Sequence, residues 1–233
     1  MGKKTSLALM SFLAVFLVAV LFISSKEDRM VPDIVNGINL ATGARCDLGT
    51  ITPSYLHSTI AINLITVYDP TNPSTKLLLA GGFSAALNRM AALNGGTPQL
   101  HDAAIAALVI NITQHGSSAN GLQTLLANTR RACTVTAAPA NYRGKPLLRT
   151  LIMPQLSIAD VEVTLQPFGL KTTTGQVLKL GAMTFHFGAQ PVQFAAVIHK
   201  ILAAVAIKAQ QSPSLVPALR SCFNTTPPAT AKP

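Results

Sequence analysis

The chain has no tryptophan, three tyrosines, and eight acidic residues against eighteen lysines and arginines. Charged residues make up 11% of it and apolar residues 49%, the reverse of the balance that keeps a chain disordered, so the bulk is expected to fold. Phosphate-cradling glycine loops of GxGxxG or Walker form are absent, which leaves nucleotide binding unsupported. The G-x-S-x-G turn that presents a hydrolase serine is absent too. His57, His101, His115, His186 and His199 form no HxH or HxxxH spacing, so no metal site is expected. No catalytic motif is found and no cofactor is implied.

Cysteine is scarce. Cys46, Cys133 and Cys222 are too widely spaced for CxxC redox or zinc-knuckle chemistry. In an exported chain two of the three are expected to pair as a disulfide, and Cys46 with Cys222 would tie the ends of the domain together.

The export expectation comes from residues 5–25. From Leu7 to Ile23 the only polar residue is Ser11, with Lys3 and Lys4 before the run and Lys26, Glu27, Asp28 and Arg29 after it. Roughly twenty residues at about 1.5 Å rise match a hydrocarbon core of about 30 Å. The basic pair on the N-terminal side keeps that end in the cytoplasm and sends the remainder across. Residues 6–24 are therefore expected to anchor a single-pass protein whose C-terminal domain is extracytoplasmic. The same charge order fits a cleaved signal peptide, which would make the domain secreted.

Four segments follow: 1–25 as anchor or signal peptide, 26–54 as an irregular membrane-proximal stretch, 55–223 as a folded domain, and 224–233 as a Pro/Thr-rich disordered tail. Within the domain, Ile60–Tyr68 is a β-branched strand closed by Asp69-Pro70, and Leu77–Ala80 is a short second strand. A helical block is expected next. Phe83, Leu87, Met90 and Ala91 form one stripe, and Leu100, Ala104, Leu108 and Ile112 form another beginning at Thr97-Pro98. A third helix starts at Ser117 or Ser118, with Leu122, Leu125 and Leu126 inward. Strands are expected at Cys133–Ala137, Ile158–Leu165, Gln176–Leu180 and Met183–Phe187. In Ile158–Leu165 the alternation places Ala159, Val161, Val163 and Leu165 on one face, with Ile158, Asp160, Glu162 and Thr164 on the other. Val192–Gln211 is a long covering helix. The sum is an α+β fold, an antiparallel sheet with several packed helices behind a membrane-spanning segment.

Charge is divided unevenly. Residues 1–102 carry seven cations and six acids, whereas residues 103–233 carry eleven cations and two acids, Asp160 and Glu162. Five of those cations, Arg130, Arg131, Arg143, Lys145 and Arg149, fall within a stretch that holds no acid. Such a cluster is the chemistry of a phosphate, sulfate or carboxylate contact surface. The expected partner is anionic, whether an acidic glycan, a lipid headgroup or an acidic protein; nucleic acid is not expected outside the cell.

Asp160 and Glu162, two residues apart, have the spacing of a general acid/base pair, although a solvated strand face explains them as simply. His101-Asp102 has the residue types of a metal pair without further ligands near it. Asn111 and Asn224 begin N-glycosylation sequons. The function expected from these features is binding, with a basic surface presented to an anionic partner by a membrane-anchored or secreted envelope or adhesion protein. The alternatives are a secreted hydrolase or transferase with a non-local acid/base site, and a structural subunit of a membrane complex.

Overall fold

In the computed structural model of the protein, the structure describes residues 32, 34–54, 58–88, 97–114, 119–134, 150–167 and 175–223. The chain passes from a helical stretch, α1 (34–42), into β1 (Cys46–Leu48), β2 (Ile51–Ser54), β3 (Thr59–Asp69), β4 (Asn72–Leu87) and β5 (Leu100–Gln114). Then come α2 (Gly121–Thr134), β6 (Thr150–Leu151), β7 (Gln155–Pro167), β8 (Gln176–Lys179), β9 (Met183–His186) and β10 (Val192–Gln193). Helix α3 (Phe194–Gln210) and a 3-10 segment, Pro217–Phe223, complete it.

Of the described residues 49% are in strands and 31% in helices, so the protein is mostly sheet rather than the helix-rich α+β fold expected. The main sheet has eight strands in the order β1-β3-β4-β5-β7-β8, with β2 also on β3 and β9 also on β7. Strands β3, β4 and β5 form an antiparallel meander, but β5 and β7 run parallel. Parallel neighbours need a long crossover, and the connection from β5 to β7 contains α2. The sheet is therefore mixed, not antiparallel throughout.

The largest departure is at β4 and β5, where two helices were expected. Its cause is a break in the in–out alternation shared by four adjacent strands. In each of them consecutive residues are exposed or half-exposed, along one row, at Asn63–Leu64, Gly81–Gly82, Ala106–Ala107 and Ala159–Asp160. Ile62, Phe83, Ile105 and Ile158 pair on one side of that row, and Leu64, Gly81, Ala107 and Asp160 on the other. The register therefore continues unshifted across the row, and the register shifts of this sheet lie elsewhere, between Val67 and Asp69 and between Ser84 and Ala86. Where the alternation breaks, the spacing of inward residues changes from two to three. In β5 the fully buried positions run 103, 105, 108, 110, 112, which imitates a helical stripe. Alanine, the best helix former, fills much of that strand and reinforced the imitation. The same break reverses the faces read for the start of β7, where Ile158 is buried and Ala159 is exposed.

One hydrophobic cluster backs the sheet. Leu77, Ile110, Val161 and Val163 from the strands meet Leu122, Leu125 and Leu126 of α2 and Leu202, Val205 and Ala209 of α3. Helix α2 carries the expected leucine stripe, but it begins at Gly121 rather than at Ser117 or Ser118, and it continues through Cys133 and Thr134, where a strand was expected. Residues 34–54, expected to be irregular, hold α1 and two short strands.

Among the described residues no helix is long and apolar enough to cross a membrane. Helix α2 has 14 residues and carries Arg130 and Arg131 near its C-terminal end, and α3 has 17 with Lys200 and Lys208 along it, against the roughly twenty apolar residues a span requires. The single-pass topology and the membrane-anchored or secreted localisation are accordingly not borne out; residues 1–25, on which they were read, lie outside the described residues. The expected disulfide is also absent, since no bond joins Cys46, Cys133 and Cys222. Cys46 and Cys222 instead pack as small apolar side chains in the core, where burial pushes both thiols up and takes Cys46 to about 12.

Candidate functional site

Helix α2 carries the residues of interest, and its two ends are built differently. Asn120 caps the start: its Oδ1 accepts from the Gln123 backbone N–H at 3.0 Å, while the Asn120 N–H donates to Gln123 Oε1 at 3.1 Å. That is a reciprocal capping box. Asp69, 1% exposed at the end of β3, lies against Gly121 in the first turn, where the helix dipole favours a carboxyl group. Its Oδ1 accepts from the Thr71 N–H and hydroxyl at 2.7 and 2.6 Å.

The same cap fastens the C-terminal segment. Asn120 Nδ2 donates to the Cys222 carbonyl at 2.9 Å, and Gln123 Nε2 to the Ser221 carbonyl at 3.0 Å. On another side of α2, Asn128 Nδ2 donates to the Thr42 carbonyl of α1 at 2.9 Å. These bonds fix the rotation of α2 and hence the direction in which its far end faces.

At that far end Arg130 and Arg131 are both exposed. The helix dipole favours cations there, and the Thr134 hydroxyl donates to the Arg131 carbonyl at 2.8 Å. Among the described residues the one ion pair is Arg45–Asp47, at 2.9 Å, so neither arginine of α2 has a carboxylate within reach. Arg45 shows the contrast. Its guanidinium pairs with Asp47 and lies 4.8 Å from the centre of the Tyr68 ring, while the Tyr68 hydroxyl donates to Asp47. The Tyr68 and Arg45 hydrogen bonds hold the Asp47 carboxyl below its usual range. Arg143, Lys145 and Arg149, the other members of the basic cluster, lie outside the described residues, so the structure places two of its five members.

Asp160 and Glu162 share β7. Asp160 is exposed beside Ala107, and half-buried Glu162 lies between Val109 of β5 and Lys179 of β8 on the face away from the core. His101 and Asp102 are exposed at the start of β5, with Asp102 in a left-handed conformation, φ 50°. Among the described residues no group of three His, Cys, Asp or Glu side chains converges as metal ligands would. His57 and His115 lie outside them. Asn111 is on β5, not in a helix, and its Nδ2, the atom a glycan would occupy, donates to the Lys76 carbonyl at 3.2 Å. Asn224 lies outside the described residues.

Sequence reading passed over two cations on α3. Lys200 Nζ donates to the His186 carbonyl at 2.6 Å and Lys208 Nζ to the Ala182 carbonyl at 3.3 Å. The signal available was negative, for no acidic residue follows Glu162 in the chain. Their fixed positions depend on pairings between distant segments, which local periodicity does not encode. No known family, curated protein or solved structure matches this chain.

Proposed function

We propose that this protein works by binding an anionic partner, held electrostatically at the C-terminal end of α2. The observation that carries the reading is that Arg130 and Arg131 are adjacent, exposed and without a carboxylate in ion-pair range among the described residues. Guanidinium groups in that state present paired N–H donors suited to the oxygens of sulfate, phosphate or carboxylate. The sequence continues from α2 with Arg143, Lys145 and Arg149 and no acid before Asp160, so this part of the chain carries positive charge alone. A formal net charge of +10 adds long-range attraction to the local contacts.

The test is elution of the full-length protein from a sulfated matrix by a salt gradient. Exposed charge contacts weaken as the Debye length shrinks. The wild type is expected to be retained and to elute at elevated salt, and Arg130→Gln/Arg131→Gln to elute distinctly earlier. Identical elution of the two proteins would remove α2 from the binding surface.

A further inference from the structure

Lys200 and Lys208 project from α3, and both ammonium groups are held in place. Lys200 Nζ bonds the His186 carbonyl and stands 4.9 Å from the centre of the Phe187 ring, while Lys208 Nζ bonds the Ala182 carbonyl. An ammonium has three donors, so each lysine keeps two for a ligand. Ordering a free lysine side chain costs conformational entropy, and here that ordering precedes any ligand. Eight residues of helix put the two about 12 Å apart along α3.

Helix α2 joins this row through Thr129 and His199. Thr129 Oγ1 lies 3.1 Å from His199 Nδ1, a hydrogen bond between the helices whose direction follows the imidazole tautomer, and 3.0 Å from the Leu126 carbonyl. That contact brings the C-terminal part of α2 beside the N-terminal half of α3. Arg130 follows Thr129 and Lys200 follows His199. Arg130 is also seven residues, about two turns, from Gln123, which reaches Ser221 of the 3-10 segment. It therefore shares Gln123's side of the helix, away from Asn128 and its bond to α1. Neither α2, α3, β8, β9 nor the 3-10 segment contains an acidic residue.

We infer that the anion-binding surface is a strip crossing the helix pair, from Arg130 and Arg131 to Lys200 and Lys208, and that its ligand is a sulfated glycan chain. This rests on the anion-binding reading above and adds the extent of the surface and the class of ligand. A compact anion does not bridge cations about 12 Å apart, so the ligand is a chain. Protein interfaces anchor on exposed aromatics, whereas Phe187 is covered by Lys200 and the chain has no tryptophan. Duplex DNA carries a charge every 1.7 Å or so of its axis, much denser than this strip, while sulfates on a glycan are spaced more widely.

The experiment titrates the full-length protein with a short and a long heparin oligosaccharide, and with a DNA duplex, at several salt concentrations. Lys200→Met removes the charge and keeps an apolar stem on Phe187. It is expected to weaken the long oligosaccharide by about three- to ten-fold and to flatten the logarithmic salt slope by about one. Lys200→Arg should keep wild-type binding, and Lys76→Gln, on β4, should change nothing. If Lys200→Met lowers the melting temperature markedly, Lys208→Met, pinned to a different carbonyl, decides in its place. Wild-type affinity in Lys200→Met and Lys208→Met, with Arg130→Gln/Arg131→Gln still weakened, overturns the strip and leaves the α2 surface standing. Tighter binding of the duplex than of heparin at equal salt overturns the glycan. No binding by the wild type, or no effect of any of these variants, removes the strip and the anion-binding function together.

Discussion

Asp69 and Gly121 are in contact where β3 meets the start of α2, and a methyl group on residue 121 would overlap the Asp69 carboxyl. Since Asp69 also holds Thr71 through two hydrogen bonds, it cannot retreat without losing them. Gly121→Ala is expected to destabilise the fold by about 2 kcal/mol or more, measured by urea denaturation, although alanine is the better helix former. Asp69→Ala should cost about 1–3 kcal/mol through the orphaned Thr71 donors and the lost helix-end contact. A neutral Gly121→Ala would mean that this junction is looser than described.

Asn120 serves both helix and C-terminus, so its substitutions separate two effects. Asn120→Asp keeps the cap but has no N–H for the Cys222 carbonyl; Asn120→Ala loses both. The expected order of melting temperatures is wild type, then Asn120→Asp, then Asn120→Ala, with the cap alone worth about 1 kcal/mol. In Asn120→Asp, amide exchange is expected to accelerate first in residues 217–223. A melting temperature of Asn120→Asp equal to the wild type's would show that the bond to Cys222 contributes nothing.

Gly82 has φ +64°, and a Cβ there would stand 2.9 Å from the Ala106 side chain. Gly81 has φ in the ordinary range, and its Cβ would meet nothing closer than 3.9 Å. Gly82→Ala is expected to cost about 1–3 kcal/mol and Gly81→Ala less than 1 kcal/mol. The reverse order would place the left-handed position at the wrong glycine.

That row also explains how much of the fold is legible in the sequence. Ile60–Tyr68 reads as a strand because its apolar β-branched run ends at a turn, and Leu122, Leu125 and Leu126 read as a helix because nothing interrupts their spacing. The strands β4 and β5 do not read as strands. Their alternation breaks so that Ala80 and Phe83, and Ile105 and Leu108, stand three apart on the inward face, and a window of sequence cannot tell that from a helix turn. Only the pairing with β3 and β7, whose alternation breaks at the same row, decides. The basic ends of the chain's chemistry divide in the same way. Arg130 and Arg131 are visible as neighbouring charges without acids. Lys200 looks like an ordinary solvated lysine until β9 brings the His186 carbonyl to it.

Cys46 connects stability to pH. Burial raises its thiol from 9.0 to about 12, so the folded protein holds this proton where the unfolded chain has lost it. Folded-state affinity for the proton is the higher one, so the contribution is complete below pH 9 and is lost as pH rises from there towards 12. Stability is expected to fall over that interval by at most about 1.4 kcal/mol per pH unit from this group, and Cys46→Ala should fall less steeply over the same range. Denaturation midpoints at successive pH values measure it. A Cys46→Ala slope equal to the wild type's would assign the alkaline loss to other groups.

The central claim is that Arg130 and Arg131 hold an anionic partner by charge. The most direct measurement is the affinity of the full-length protein for a long heparin oligosaccharide as a function of salt, compared with Arg130→Gln/Arg131→Gln. The account predicts a linear fall of log affinity with log salt in the wild type, and a double variant that is weaker with a slope shallower by about two. Affinity independent of salt, or a double variant with unchanged affinity and slope, would contradict it.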